Sequence, residues 1–284
     1  MLVVLADSPC MKLTRRWSIV VATLAGIAGS VLVSAAPTPA VAATSSAYSL
    51  SYPYSGGGAL RWNPCQRAIA YRVNLSLSAR TSYGRKVALA DVQTAVGRIT
   101  NATGMWFHYL GTTTSVPTGT SWWQHTGDAE VVIAWVNEKY TSTKSSLFLR
   151  SGSGYVAGTG GLRCWQWGTA LAGSAPTAAI VRGYLVINAA QNASFRPGFG
   201  SGTTRGELLL HELGHVVGLN HVQSSAQIMY PVLVPRSRAA YATGDLNGLT
   251  RVGRPAGCIG IPAWAGAPRT CHKPSAGRKL AGVR

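Results

Sequence analysis

A single carboxylate decides how the middle of this chain can fold. Glu212 stands inside Leu208-Leu209-Leu210-His211-Glu212-Leu213-Gly214-His215-Val216-Val217, where the surrounding apolar residues leave no wet face for it. The run reads as a helix that begins near Thr204. There Thr204-Arg205-Gly206-Glu207 fits a capping box, in which the threonine hydroxyl takes a free backbone N–H and Glu207 reaches back to the cap. A helix so apolar is buried, and an unpaired carboxylate within it is costly. A metal ion with its water beside Glu212 removes that difficulty. His211 and His215 are four apart and share one helix face, so both can aim ring nitrogens at a cation about 2.0–2.1 Å away. Gly218 allows the left-handed turn that ends the helix and brings His221 back as a third ligand. Three protein ligands with a fourth position open characterise a catalytic zinc site, and Glu212 is placed to act as general base on the metal's water. Isolated histidines carry no such inference, so His108, His125 and His272 are read as surface or core residues.

The rest of the chain supplies a sheet for this helix to pack against. Ile69, Tyr71, Val73, Leu75 and Leu77 alternate with mostly polar partners across Ala68 to Leu77, the pattern of a half-buried strand. Arg85 to Thr100 carries apolar residues at helical spacing and stops before Asn101 and Gly104. Met105 to Leu110, Ala129 to Val136 and Gly183 to Ala189 read as further strands. The Gly/Ser-rich stretch through Gly173, with Cys164, Trp165 and Trp167, is expected to be irregular surface chain. Strands mixed with two long helices give an α/β (α+β) sheet domain.

The N-terminus has the form of an export signal: basic Lys12, Arg15 and Arg16, an apolar segment from Ser18 to Val33, and the small-x-small site Ala40-Val41-Ala42. The expected organisation is a signal peptide over 1–42, a flexible leader over 43–58, a catalytic domain over 59–257 and a basic extension over 258–284. Signal removal leaves Cys65, Cys164, Cys258 and Cys271, an even set suited to disulfides in an oxidising compartment, with three connectivities open. No C-x-x-C spacing supports a zinc-thiolate cluster. The formal charge of +18 falls to +16 without the signal, which favours an anionic surface or cell-wall polymer as surroundings. The basic residues are scattered, so no specific nucleic acid is expected as partner.

His211 through His221 match H-E-x-x-H-x-x-G-x-x-H, and Ser225-Ala226-Gln227-Ile228-Met229-Tyr230-Pro231 follows at the distance of a Met-turn. In this the chain resembles the metzincin zinc proteases, and its Met-Tyr-Pro is most similar to the matrixin branch. Gly244 to Leu249, followed by Val252-Gly253, resembles the start of the last matrixin helix. The resemblance implies a twisted mixed sheet over an active-site helix with a small C-terminal subdomain, one catalytic zinc on His211, His215 and His221, Glu212 as the catalytic base, and Met229 as an apolar floor under the metal. It implies further that an extended peptide aligns along an edge strand, for which Val132 to Trp135 is a candidate, and that the pocket beside the third histidine is shaped by loop residues around Pro231 to Tyr241. Residues 150–200 contain no histidine and no acid, so the structural zinc and calcium of animal matrixins are not expected. Val222 follows the third histidine, and Pro231 stands where other branches place a metal-site tyrosine, so Tyr230 receives no catalytic role. No pro-domain with a blocking cysteine is recognisable. The implied activity is that of a secreted, extracellular, monomeric zinc endopeptidase acting on protein or peptide substrates, with no membrane association after signal removal. The alternatives are a zinc hydrolase of cell-wall material and a non-catalytic cell-surface binding protein on a relic protease fold.

Overall fold

In a computed structural model of the protein, residues 46–53, 57–117, 127, 129–137, 148, 156–167, 177–260 and 269–270 are described. In chain order they form β1 (Ser49–Leu50), β2 (Ile69–Asn74), α1 (Ser82–Thr103), β3 (Phe107–Thr112), β4 (Val131–Val136), β5 (Gly158–Trp167), β6 (Thr177–Asn188), α2 (Arg205–Val216), β7 (Leu219–Asn220), α3 (Thr243–Val252) and β8 (Arg269–Thr270). Short 3-10 turns follow β6 and α3.

Six strands make one mixed sheet in the order β3-β2-β4-β6-β5-β8. β2 is parallel to both β3 and β4, and β4 is parallel to β6. β5 runs antiparallel to β6, and β8 antiparallel to β5. The fold is therefore the mixed α/β arrangement expected of a metzincin-like protease domain. Val-Val-Ile-Ala-Trp-Val of β4 is buried at every position, as befits a strand covered on both faces. Its odd-numbered residues Val131, Ile133 and Trp135 join α1 and α2 in the main core. Val132, Ala134 and Val136 face the opposite way, into a smaller cluster with Phe148, Val156, Tyr184 and Val186.

Four expectations require correction. β2 lies between β3 and β4, so Ala70 and Asn74 are buried along with its apolar residues, and the strand is not half-exposed. β4 lies inside the sheet, so Val132 to Trp135 is not an edge. The glycine-rich stretch expected to be irregular contains β5, a ten-residue strand paired along β6. Glycine weakens a strand in isolation, but here it permits contact: a Cβ on Gly160 would lie 2.3 Å from the carbonyl oxygen of Glu212 in α2. Within the expected flexible leader, Ser49 and Leu50 pair with Asn220 and Leu219 of β7.

Cys65 and Cys258 form a disulfide, and Cys164 is also disulfide-bonded. Cys271, the expected signal at 1–42, and His125 and His272 lie outside the described residues. Among the described residues, no helix is long and apolar enough to cross a membrane.

α1 and α2 are joined by a buried ion pair. Arg205, the first residue of α2, donates from Nε and Nη2 to Asp91 Oδ2 at 2.7 and 2.5 Å, and the Gly198 amide donates to the same oxygen at 3.0 Å. Removing one partner strands the other charge in the core. Asp91→Ala is expected to lower unfolding stability by about 3–5 kcal/mol, read as a fall in the urea midpoint at unchanged slope.

Candidate metal centre

α2 starts where the sequence indicates. Thr204 is its N-cap, and the hydroxyl accepts the Glu207 amide at 3.1 Å. The second half of the expected capping box does not form, because the Glu207 carboxylate turns to Arg236 instead (2.8 Å). At the other end, the indole N–H of Trp62 donates to Val216 O at 3.0 Å, and Gly218 N donates to His215 O at 3.1 Å, satisfying carbonyls that a helix end leaves open. Gly218 has φ +109° and lies against the Leu60 carbonyl, 2.2 Å from where a Cβ would sit. Only glycine fits there. The chain then reverses through β7, which is held by β1, by Ser51 N to Gly218 O (2.8 Å), and by Asn220 Nδ2 to Leu50 O (2.6 Å).

These constraints bring His211, His215 and His221 into one cluster. Their Nε2 atoms form a nearly equilateral triangle: 3.2 Å from His211 to His221, 3.3 Å from His211 to His215, and 3.2 Å from His215 to His221. His211 Nδ1 donates to Ile228 O at 2.7 Å and His215 Nδ1 to Leu219 O at 2.9 Å. A carbonyl can only accept, so in both rings Nδ1 carries the proton and Nε2 presents a lone pair. The lone pairs of His211 and His215, 3.3 Å apart, form a donor pair that a cation between them would hold. Tetrahedral zinc at about 2.0–2.1 Å from each nitrogen calls for nitrogen separations of about 3.3–3.4 Å, and the triangle fits that demand. The three-histidine cluster is thus suited to a single catalytic zinc ion.

Burial pulls His211 down to about 4, a shift opposed by its bond to Ile228 O and assisted by the positive charge of Arg236. Glu212 is 2% exposed. Burial raises its carboxyl well above the usual range, and an N–H from Gly160 of β5 opposes that shift. Glu212 Oε2 is buried with no hydrogen-bond partner, on the residue that follows His211 in α2.

The loop carrying Met229 is fixed by a residue that sequence reasoning did not single out. The Asp245 carboxylate, in the first turn of α3, accepts the amides of Ile228 (2.7 Å), Met229 (3.2 Å) and Ala242 (3.0 Å). Its own amide donates to Gln227 Oε1 at 2.9 Å. The Ile228 carbonyl on the far side of that turn is the one that orients His211. An acid at the third position of a helix is a visible signal, but its partners come from a different loop. Met229 is 1% exposed and its sulfur packs on the backbone at Gly214, which stands between His211 and His215 of the helix and only one residue from the latter.

The family model for matrixins matches residues 125–252, from before β4 to the end of α3, and so takes in all three histidines, Glu212 and Met229. The chain carries a matrixin domain. With its triad, it is a zinc metalloprotease domain of the metzincin type. Comparison with curated proteins gives no match. The matrixin match begins well after β2 and α1, so the N-terminal half of the sheet is joined to the domain by structure: β2 pairs with β4, and Asp91 of α1 with Arg205 of α2. Among the described residues, this matrixin domain has no second cluster of three metal-binding side chains.

In metal-free protein, His211 is neutral when folded down to about pH 4, whereas in the unfolded chain it protonates near 6.5. Between those values the unfolded state binds the extra proton, so stability falls as pH falls. The expected loss from this group is about 3 kcal/mol between pH 7 and pH 4. Urea midpoints of chelator-treated protein across that range, compared with His211→Asn, would reveal it as a pH slope that the variant lacks.

Proposed function

We propose that this domain hydrolyses peptide bonds of proteins outside the cell, with Glu212 as general base and His211, His215 and His221 as the zinc ligands. The observation that carries the reading is the buried Glu212 Oε2, without a hydrogen-bond partner, on the same helix as two of three converging imidazoles. Zinc, when bound there, supplies a Lewis acid that lowers the pKa of a water to roughly 7 and polarises a carbonyl. The chain's own residues do the rest. Glu212 Oε2 takes a proton from the attacking water and passes it to the departing amine. The Gly160 N–H holds the carboxylate, so the oxygen that works is the one left without a bond.

β5 supports the same reading on the substrate side. It is paired to β6 throughout, but on its other side β8 reaches only Trp165 and Gln166. Among the described residues, the backbone from Gly158 to Leu162 thus has one open edge, and this is the part of the strand lying over Glu212. An extended peptide adding as a further strand would pass directly over the acceptor. The net charge of +18 favours encounter with anionic substrates or surfaces.

Glu212→Ala is expected to bind zinc as tightly as the parent and to lose about 10²–10⁴-fold in kcat on peptide substrates. Zinc content by metal analysis and turnover of a quenched-fluorescence peptide would be measured on the same sample. A variant that holds zinc and cleaves at the parental rate would overturn the assignment. Release of products from purified cell-wall polymer, with none from casein, would replace it with the polymer hydrolase.

A further inference from the structure

β8 is short, but its register gives the line that the following residues would take. Arg269 pairs with Gln166 and Thr270 with Trp165, antiparallel, on the side of β5 away from β6. The register shift between β5 and β6 at Arg163 and Cys164 skips Val181 of β6, so β5 itself carries no extra residue there. Continued one for one, the pairing sets Cys271 opposite Cys164, Lys273 opposite Leu162, Ser275 opposite Gly160 and Gly277 opposite Gly158. That is the open edge on which a substrate strand would add.

Cysteine chemistry points to the same register independently. Cys164 is disulfide-bonded and Cys65 is joined to Cys258, which leaves Cys10 and Cys271 as partners in the sequence. Cys271 directly follows Thr270, and Thr270 lies opposite the residue that follows Cys164. Residues directly opposite on antiparallel strands have Cα atoms about 4.5–5.5 Å apart, within the span of a disulfide. A bridge there fastens the start of the segment to the edge it would follow.

The glycines on that edge are the ones that touch the base. A Cβ at Gly158 would lie 3.2 Å from Glu212 Oε1, and the Gly160 N–H holds the same carboxylate. Residues 271–284 follow Thr270, and 271–277 alone would cover the edge from Cys164 to Gly158, about 20 Å of strand. Pro274 cannot donate to a ladder, but it suits an outermost strand, one side of which has no partner.

We infer that segment 271–277, fastened by a Cys164–Cys271 disulfide, occupies the substrate edge of β5 and competes there with other peptides. This rests on the peptide-hydrolysis reading. Because the occupant is tethered at its first residue, its effective concentration is on the order of millimolar, at or above most KM values, which run from about 1 μM to 1 mM. An edge left vacant for about a tenth of the time raises KM about tenfold and leaves kcat unchanged.

The test compares the zinc-loaded full chain with a chain ending at Cys271, which keeps the disulfide and loses the rest of the segment; intact masses are checked for both. Disulfide mapping is expected to recover Cys164 joined to Cys271, and Cys164 joined to Cys10 would overturn the inference. On a quenched-fluorescence peptide the shortened chain should show a KM about tenfold lower at unchanged kcat. Hydrogen exchange over 158–162 should be about tenfold slower in the full chain, with zinc or without it. A synthetic peptide of residues 272–280 should inhibit the shortened chain competitively. A full chain carrying both Cys164→Ser and Cys271→Ser should fall between the two, and it carries the same comparison should the shortened chain not fold. Equal KM or equal exchange in full and shortened chains would overturn the inference. Protection that disappears on dilution would also overturn it, by assigning the edge to a second copy. If neither chain cleaves peptide, the peptide-hydrolysis reading fails; slower exchange in the full chain would still support the segment on β5, and equal exchange would overturn that as well.

Discussion

Two backbone carbonyls determine which way the two imidazoles of α2 face. Ile228 O takes the Nδ1 proton of His211, and Leu219 O takes that of His215. Each bond fixes a tautomer and a ring orientation together, and the outer partners of a metal site matter to it nearly as much as its ligands. Neither carbonyl belongs to α2. One sits on a loop held by Asp245 of α3 and the other on a two-residue strand held by β1, so the sheet, the last helix and the N-terminal strand all act on the same few ångströms.

How legible this was differs from residue to residue. The ligand triad, the start of α2 at Thr204 and the left-handed turn at Gly218 could be read directly, because each depends on local spacing or local dihedral preference. β5 could not. Its glycines argue against a strand when only neighbours along the chain are considered, and their purpose appears only with α2 alongside, where Gly160 touches the backbone of Glu212. Strand order shows the same limit: the apolar run Val131 to Val136 signals burial without revealing whether a strand is central or at an edge.

Glu207 illustrates a different failure. Its spacing from Thr204 fits a capping box, and the threonine behaves accordingly. Yet a charged partner twenty-nine residues later offers the carboxylate a stronger bond than a backbone amide can. Asp245 was passed over for a related reason, since its three amide donors come from two segments that meet only in the folded chain. In both cases the acidic residue was visible and its partner was not.

β1 ties Ser49 and Leu50 to the turn that carries the third histidine, across about 170 positions of sequence. Contacts of that span close late, because the entropy of drawing distant segments together must be met before they contribute. Completion of the histidine triangle thus depends on a pairing of long span: α2 by itself presents two of the three histidines, and the third follows the short strand that β1 holds.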